Sequence, residues 1–239
     1  MEHNILCVLH NRDEWPMIKK IEILGIRLDN YTVKEAMLKV EEYLNNTVMN
    51  TIEAISMEML VRAKEDELLR ESIESLDLAI VDEKEILLAA GVDTVQRIRE
   101  TVEKQFFKEF MKRIVRNGKT VYLFGETKQQ LEKLKEFLSE DYGRLKIAGS
   151  YALEDCAGDY DGVVNEINIA SPDIVFSVLP TPGQEYFLAE NKEKMNAKVW
   201  YGLGDNYAGA RGINYIRSLA KKILHKGMMR SMLSKYDKK

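Results

Sequence analysis

Asp82 directly follows the apolar run Leu76–Val81, so a carboxylate stands where a buried strand would give way to a loop. A carboxylate in that place could act as a general base towards a hydroxyl nucleophile. The same position suits a solvated helix N-cap, and Glu83 and Glu85 add like charge that disfavours ionisation of Asp82 if it is partly buried. A second group lies between Pro172 and Gly209, PDIVFSVLPTPGQEYFLAENKEKMNAKVWYGLGDNYAG. Here Gln184 and Glu185 arrive at a helix start behind the stiff loop Pro180-Thr181-Pro182-Gly183, and Gly202, Gly204 and Asp205 follow a second apolar run. Glycines after a strand admit a phosphate or ribose close to the backbone, but they equally make an ordinary strand-to-helix turn.

Such groups need a scaffold that brings strand ends together. Ile174–Leu179 and Ala197–Tyr201 read as buried parallel strands, with helical spacing between them at Phe187, Leu188 and Met195. Upstream, Lys20–Leu28 reads as a strand, and Thr32 is placed to cap a helix carrying Val33, Ala36, Met37, Val40 and Leu44 on one face. TIEAIS after Asn50 and Leu76–Val81 read as strands, and Met57–Ile73 and Thr94–Gly118 as amphipathic helices. The alternation continues with strand Thr120–Phe124, helix Lys128–Leu138, strand Leu145–Ile147 and helix Asp161–Ala170. Strands separated by helices predict an α/β fold, a Rossmann-like and mainly parallel sheet flanked by helices over residues 20–210. A flexible leader is expected at 1–19 and a basic amphipathic helical appendage at 211–239.

Several function classes are disfavoured. FGETKQQL, at the end of the Thr120–Phe124 strand, has neither GxGxxG nor a Walker lysine, which argues against a nicotinamide dehydrogenase or P-loop enzyme. Cys7 and Cys156 are far apart, and His3, His10 and His225 are scattered, so no disulfide framework or soft-ligand metal site is expected. No apolar run approaches the roughly 18 residues needed to span a bilayer, and cytoplasmic residence is the expectation.

Charge is distributed unevenly. The formal net charge is −4, yet from Arg211 onward nine Lys and Arg residues face only Asp237, which leaves that tail at +8 and the rest at −12. Ile213, Ile216, Leu219, Ala220, Ile223 and Leu224 share one helical stripe there. A basic amphipathic segment of this kind suits an anionic membrane surface, or packs on its own domain with a solvated basic face. The acidic body and the lack of a recognition motif argue against a nucleic-acid partner. A homo-oligomer is compatible with the composition, although no residue identifies an interface.

The order of these motifs resembles the WecG/TagA/CpsF family of bacterial glycosyltransferases from about Ile21 onward. ILGIRLDNYTVKEA is similar to that family's opening strand and helix, and SMEMLVRAKEDELLRESIESLDLAIVD to the segment leading to its catalytic aspartate. PDIVFSVLPTPGQE resembles its PD strand and G-x-P-K-Q-E loop, and GLGDNYAG its Gly-rich loop. The resemblance implies an inverting, metal-independent transfer of a sugar, typically N-acetylmannosamine, from a UDP-sugar to a polyprenyl-diphosphate-linked N-acetylglucosamine. No cofactor is implied beyond the donor substrate. By position, Asp82 is implied as the base, Gln184 as a donor contact, and Asp205 as lining the same pocket. Glu185, Gly202 and Gly204 belong to the same loops. Arg97 or Arg99, with Arg211 and Arg217, are implied to neutralise diphosphate. The tail matches a membrane-associating appendage, which implies peripheral attachment to the inner face of the membrane.

At some positions the chain differs from the family pattern. Ala54-Ile55-Ser56 stands where the family has T-x-N, leaving Ser56 at a substrate-binding position, and Glu83 and Glu85 replace glycines. These replacements define an alternative, a catalytically degenerate relative acting as a nucleotide-sugar sensor or a partner subunit.

Overall fold

A computed structural model describes residues 20–156, 158 and 160–204. The expected leader and basic appendage lie outside the described residues, as do Asp205, Arg211 and Arg217.

The first strand-like run is a hairpin. β1 (Lys20–Ile23) and β2 (Ile26–Asp29) pair antiparallel as a separate two-stranded sheet. Leu24 and Gly25 between them have φ of 55° and 80°, the positive values that a tight two-residue hairpin turn demands, so Lys20–Leu28 cannot run straight. α1 (Val33–Asn45) starts as predicted: Thr32 Oγ1 accepts from Glu35 N at 3.3 Å, and Glu35 Oε2 accepts from Thr32 N at 2.9 Å.

β3 (Asn50–Ile55) leads to α2 (Met57–Ala63) and α3 (Glu67–Glu74), where a single helix was expected. The break follows from Asp66, whose carboxylate accepts from Leu69 N at 3.0 Å and so begins a new helix. β4 (Leu78–Val81) and α4 (Lys84–Ala89) follow. The second long helical stretch also divides, into α5 (Val95–Val102) and α6 (Gln105–Arg116). Between them Lys104 has φ 53° and ψ 40°, a left-handed conformation that no helix continues through. The remaining elements are β5 (Thr120–Gly125), α7 (Lys128–Asp141), β6 (Lys146–Ala152), α8 (Asp161–Ala170), β7 (Ile174–Ser177), α9 (Gly183–Asn191) and β8 (Val199–Gly202).

Among the described residues six strands form one sheet in the order β4-β3-β8-β7-β5-β6, and every pairing within it is parallel. The expected Rossmann-like α/β architecture is therefore present. Alternate strand residues feed opposite layers. Ile52, Leu78, Leu123, Phe176 and Tyr201 pack with α1, α6 and α7. Tyr122, Phe124, Val175 and Trp200 pack with α8 and α9, while Ile55, Ala79 and Val81 pack with α2, α3, α4 and the hairpin. α7 and α9 leave the neighbouring strands β5 and β7 towards opposite layers, which makes that strand pair a topological switch point.

The amino-terminal edge of the sheet is held by two matching devices. Asp77 accepts from the N–H and hydroxyl of Thr51 at 2.8 and 2.9 Å, and Asp173 accepts from the N–H and hydroxyl of Thr120 at 2.9 and 3.2 Å. Lys192 and Lys119 neutralise the two carboxylates at 3.2 and 2.9 Å. Each device sets the level at which two adjacent parallel strands begin, and hence the level at which they end.

Candidate functional site

At the carboxyl edge, Ile55 of β3 and Val81 of β4 are in register, and Asp82 N donates to Ile55 O at 3.0 Å. Ser56 and Asp82 therefore leave adjacent strands at the same level. Their side chains have different tasks. Ser56 Oγ accepts from Met59 N at 3.2 Å and caps α2. Asp82 is not the N-cap of α4, since Glu83 occupies that position.

The Asp82 carboxylate meets Lys104, whose Nζ lies 2.6 Å from Oδ1 and donates to the Asp82 carbonyl oxygen, also at 2.6 Å. Lys104 reaches both oxygens from its left-handed backbone, a conformation that costs a non-glycine residue about 1 kcal/mol. Both side chains are mostly buried, Lys104 being 19% and Asp82 13% exposed. An ion pair so placed is screened far less than one on the surface.

Asp82 and Lys104 line a cleft with Asp29, Tyr31, Arg97, Glu100 and Tyr201. Burial, and after it the Asp82 charge, push the Tyr201 phenol well above its ordinary value, so the hydroxyl stays protonated. Arg97 lines the cleft with Nη1 2.8 Å from Glu100 Oε2, and its Nε donates to Asn30 Oδ1 at 3.2 Å. Arg99 is exposed on α5 and does not line the cleft, because two steps along a helix turn a side chain away. The cavity is only ≈ 40 Å³. At about 10–15 Å³ per water that is room for a few solvent molecules.

On the opposite layer the sheet carries a second polar group. Gln184 and Glu185 do occupy the first turn of α9, but neither is presented at the rim: they are 1% and 2% exposed. Gln184 Nε2 donates to Glu53 Oε1 on β3, and Thr181 Oγ1 donates to Glu185 Oε1 at 2.9 Å. The reason for the burial is Gly202, which is in register with Glu53 across β3 and β8 and leaves the space that the Gln184 carboxamide fills. Gly202 is thus required for close packing, whereas Gly204, at φ +60°, is suited to its backbone conformation.

Burial first, then the Glu185 charge and a hydrogen bond to Glu185, hold the Glu53 carboxyl well above the usual carboxylate range. With both groups ionised, Glu53 Oε2 and Glu185 Oε2 would face no donor. One proton shared between them supplies it.

Neither Glu53 nor Lys104 is marked as a site residue by the sequence. Glu53 lies in a run read only as a strand, and a parallel sheet covered on both faces has no solvent side for it. Lys104 stands in a charged helical stretch, where its left-handed backbone between α5 and α6 is not legible from periodicity. The one available sequence signal is the acid inside the strand run TIEAIS.

Among the described residues no group of three or more His, Cys, Asp or Glu side chains is arranged to hold a metal, and no helix is long and apolar enough to cross a membrane.

A parallel α/β sheet with a carboxylate on a strand end beside a cleft places a candidate ligand site at the sheet's carboxyl edge. The chain belongs to the glycosyl transferase WecG/TagA/CpsF family, whose model matches residues 21–210, and is a glycosyltransferase. It is similar to the N-acetylglucosaminyldiphosphoundecaprenol N-acetyl-beta-D-mannosaminyltransferase of Staphylococcus aureus strain MRSA252, with 23% identity over 206 residues covering 80% of this chain and 77% of that protein. The protein of the same name from strain NCTC 8325 is 22% identical over the same coverage.

Proposed function

We propose that this glycosyltransferase moves an N-acetylmannosamine-like sugar from a UDP-sugar to a polyprenyl-diphosphate-linked saccharide in cell-surface polysaccharide synthesis, with inversion and without a metal or other cofactor. The observation that carries this reading is the Asp82 carboxylate, placed at the carboxyl end of β4 and facing a cleft. In the step, an acceptor hydroxyl oxygen forms the new bond to the donor's anomeric carbon. The bond from that carbon to the diphosphate oxygen breaks, and UDP leaves with the electron pair. The hydroxyl proton goes to Asp82. Leaving-group charge requires cations when no metal supplies them, and Arg211 and Arg217 in the basic tail are the proposed source. The same tail is proposed to hold the protein peripherally at the inner membrane face, where a lipid-linked acceptor would be found.

A second reading is a nucleotide-sugar sensor or partner subunit without turnover. One observation favours it: the Gln184 carboxamide is buried and its N–H is taken by Glu53, so this group is not presented to a donor. A thermal-shift panel of UDP-sugars with and without Mg²⁺ or EDTA, followed by a transfer assay, separates the two. Stabilisation and transfer in EDTA support the enzyme, and stabilisation with no transfer supports the sensor. Activity abolished by EDTA and restored by Mg²⁺ would overturn metal-independent chemistry.

A further inference from the structure

We propose that Lys104 is the positioning residue for Asp82, holding the carboxylate in its reacting direction and in the ionised form until an acceptor hydroxyl arrives. This rests on the reading of Asp82 as the base. Lys104 grips Asp82 at two points, the carboxylate oxygen Oδ1 and the main-chain carbonyl, each at 2.6 Å. The two points have different fates during the reaction. When Asp82 accepts the acceptor's proton, its carboxyl becomes neutral and the ionic attraction disappears. The carbonyl contact does not depend on that proton, so the ammonium stays beside the carboxyl and the ion pair re-forms when the proton passes to solvent.

The backbone shows how strongly this placement is specified. Lys104 takes the left-handed region at the junction of α5 and α6, with its N–H donating to Thr101 O at 3.2 Å and its carbonyl accepting from Lys108 N at 3.2 Å. A residue with a Cβ is held there between two well-formed helical turns, and the result is delivery of its ammonium group to Asp82.

The other charges of the cleft have partners of their own. Arg97 pairs with Glu100, and Asp29 pairs with Lys20 at 2.8 Å while accepting from Ala79 N at 2.9 Å. Tyr31 and Tyr201 are the remaining titratable groups of the lining, and Glu83, Lys84 and Glu85 follow Asp82 on its own segment.

The test uses the full chain with Lys104→Asn and Lys104→Arg. Asparagine tolerates the left-handed backbone and carries no charge, so it removes the ammonium and keeps the turn. Two readouts are compared: the Asp82 carboxyl resonance followed by ¹³C NMR against pH, and the pH profile of sugar transfer. In Lys104→Asn, Asp82 is expected to titrate about one unit or more higher, because an opposite charge that favoured ionisation is gone. The acid limb of the rate profile should move up by the same amount, and Lys104→Arg should return it towards the parent. An unchanged Asp82 titration in Lys104→Asn would overturn the role of Lys104. So would an equal loss of turnover at every pH that arginine fails to rescue. A shifted titration combined with no transfer by the unsubstituted protein would instead overturn the reading of Asp82 as a base.

Discussion

Gly202 and Gln184 fit together only because position 202 carries no side chain. A Cβ there would lie 2.9 Å from both Cδ and Oε1 of Gln184, and closer still to its amide nitrogen. Gln184 has little room to retreat, since it is 1% exposed and bonded to Glu53. Gly202→Ala is therefore expected to destabilise the fold by about 1–3 kcal/mol through overpacking. Denaturant midpoints measure it. In a Gln184→Ala background the same substitution should cost much less, and equal costs in both backgrounds would show that the two residues are not coupled.

Glu53 makes stability depend on pH from the alkaline side. Its folded-state value is raised above that of the unfolded chain. Its stabilising contribution is therefore complete below the ordinary carboxylate range and is lost as pH rises through the raised value. Glu53→Gln removes the titration and keeps an acceptor for Gln184. Melting temperatures from pH 5 to 9 should fall less steeply in that variant than in the parent, and parallel curves would mean that the pair holds no shared proton.

Asp173 acts in the opposite direction. Burial pushes its carboxyl up, but bonds from Thr120 and the neighbouring Lys119 outweigh this and leave it below its ordinary value of 3.8. The contribution is present above that value and lost as pH falls through the lower folded-state one. Asp173→Ala should cost roughly 1–2 kcal/mol at neutral pH. The deficit should shrink in strong acid, as read from urea unfolding at pH 7 and pH 3.

Asp82→Asn tests the proposed chemistry with little disturbance of the fold, because an asparagine oxygen can still accept from Lys104. Transfer should fall by about 10²–10⁴-fold, the range for loss of a general base. Circular dichroism and melting should change little. Undiminished transfer would remove Asp82 from the mechanism.

Truncation after Gly209 removes the whole +8 tail. Each basic residue near an anionic surface contributes about 1 kcal/mol to attraction. Sedimentation with phosphatidylserine vesicles should therefore drop sharply, and equal binding by the truncated chain would assign the tail a purely structural part.

Much of the architecture was legible in local chemistry. Thr32 with Glu35 forms the predicted helix start, and the apolar runs from Leu78, Ile174 and Val199 are buried parallel strands with helices between them. Asp82 was recognisable as a strand-end carboxylate because strand and breaker are neighbours in sequence. The hairpin turn at Leu24-Gly25 and the helix breaks at Asp66 and Lys104 were not recognised. Each rests on one residue's conformation or cap within a pattern that otherwise continues.

By itself the sequence determined the parallel α/β class, the strand-end position of Asp82 and the separation of an acidic body from a basic tail. The pairing of side chains was decided only by the tertiary structure. Lys104 reaches Asp82 over a sequence separation of 22, and Gln184 reaches Glu53 over one of 131. The first contact depends on a left-handed turn between two helices, and the second on β8 lying between β3 and β7, where Gly202 leaves room for an amide. Periodicity reports which face of an element is buried, whereas these contacts depend on which elements lie against that face.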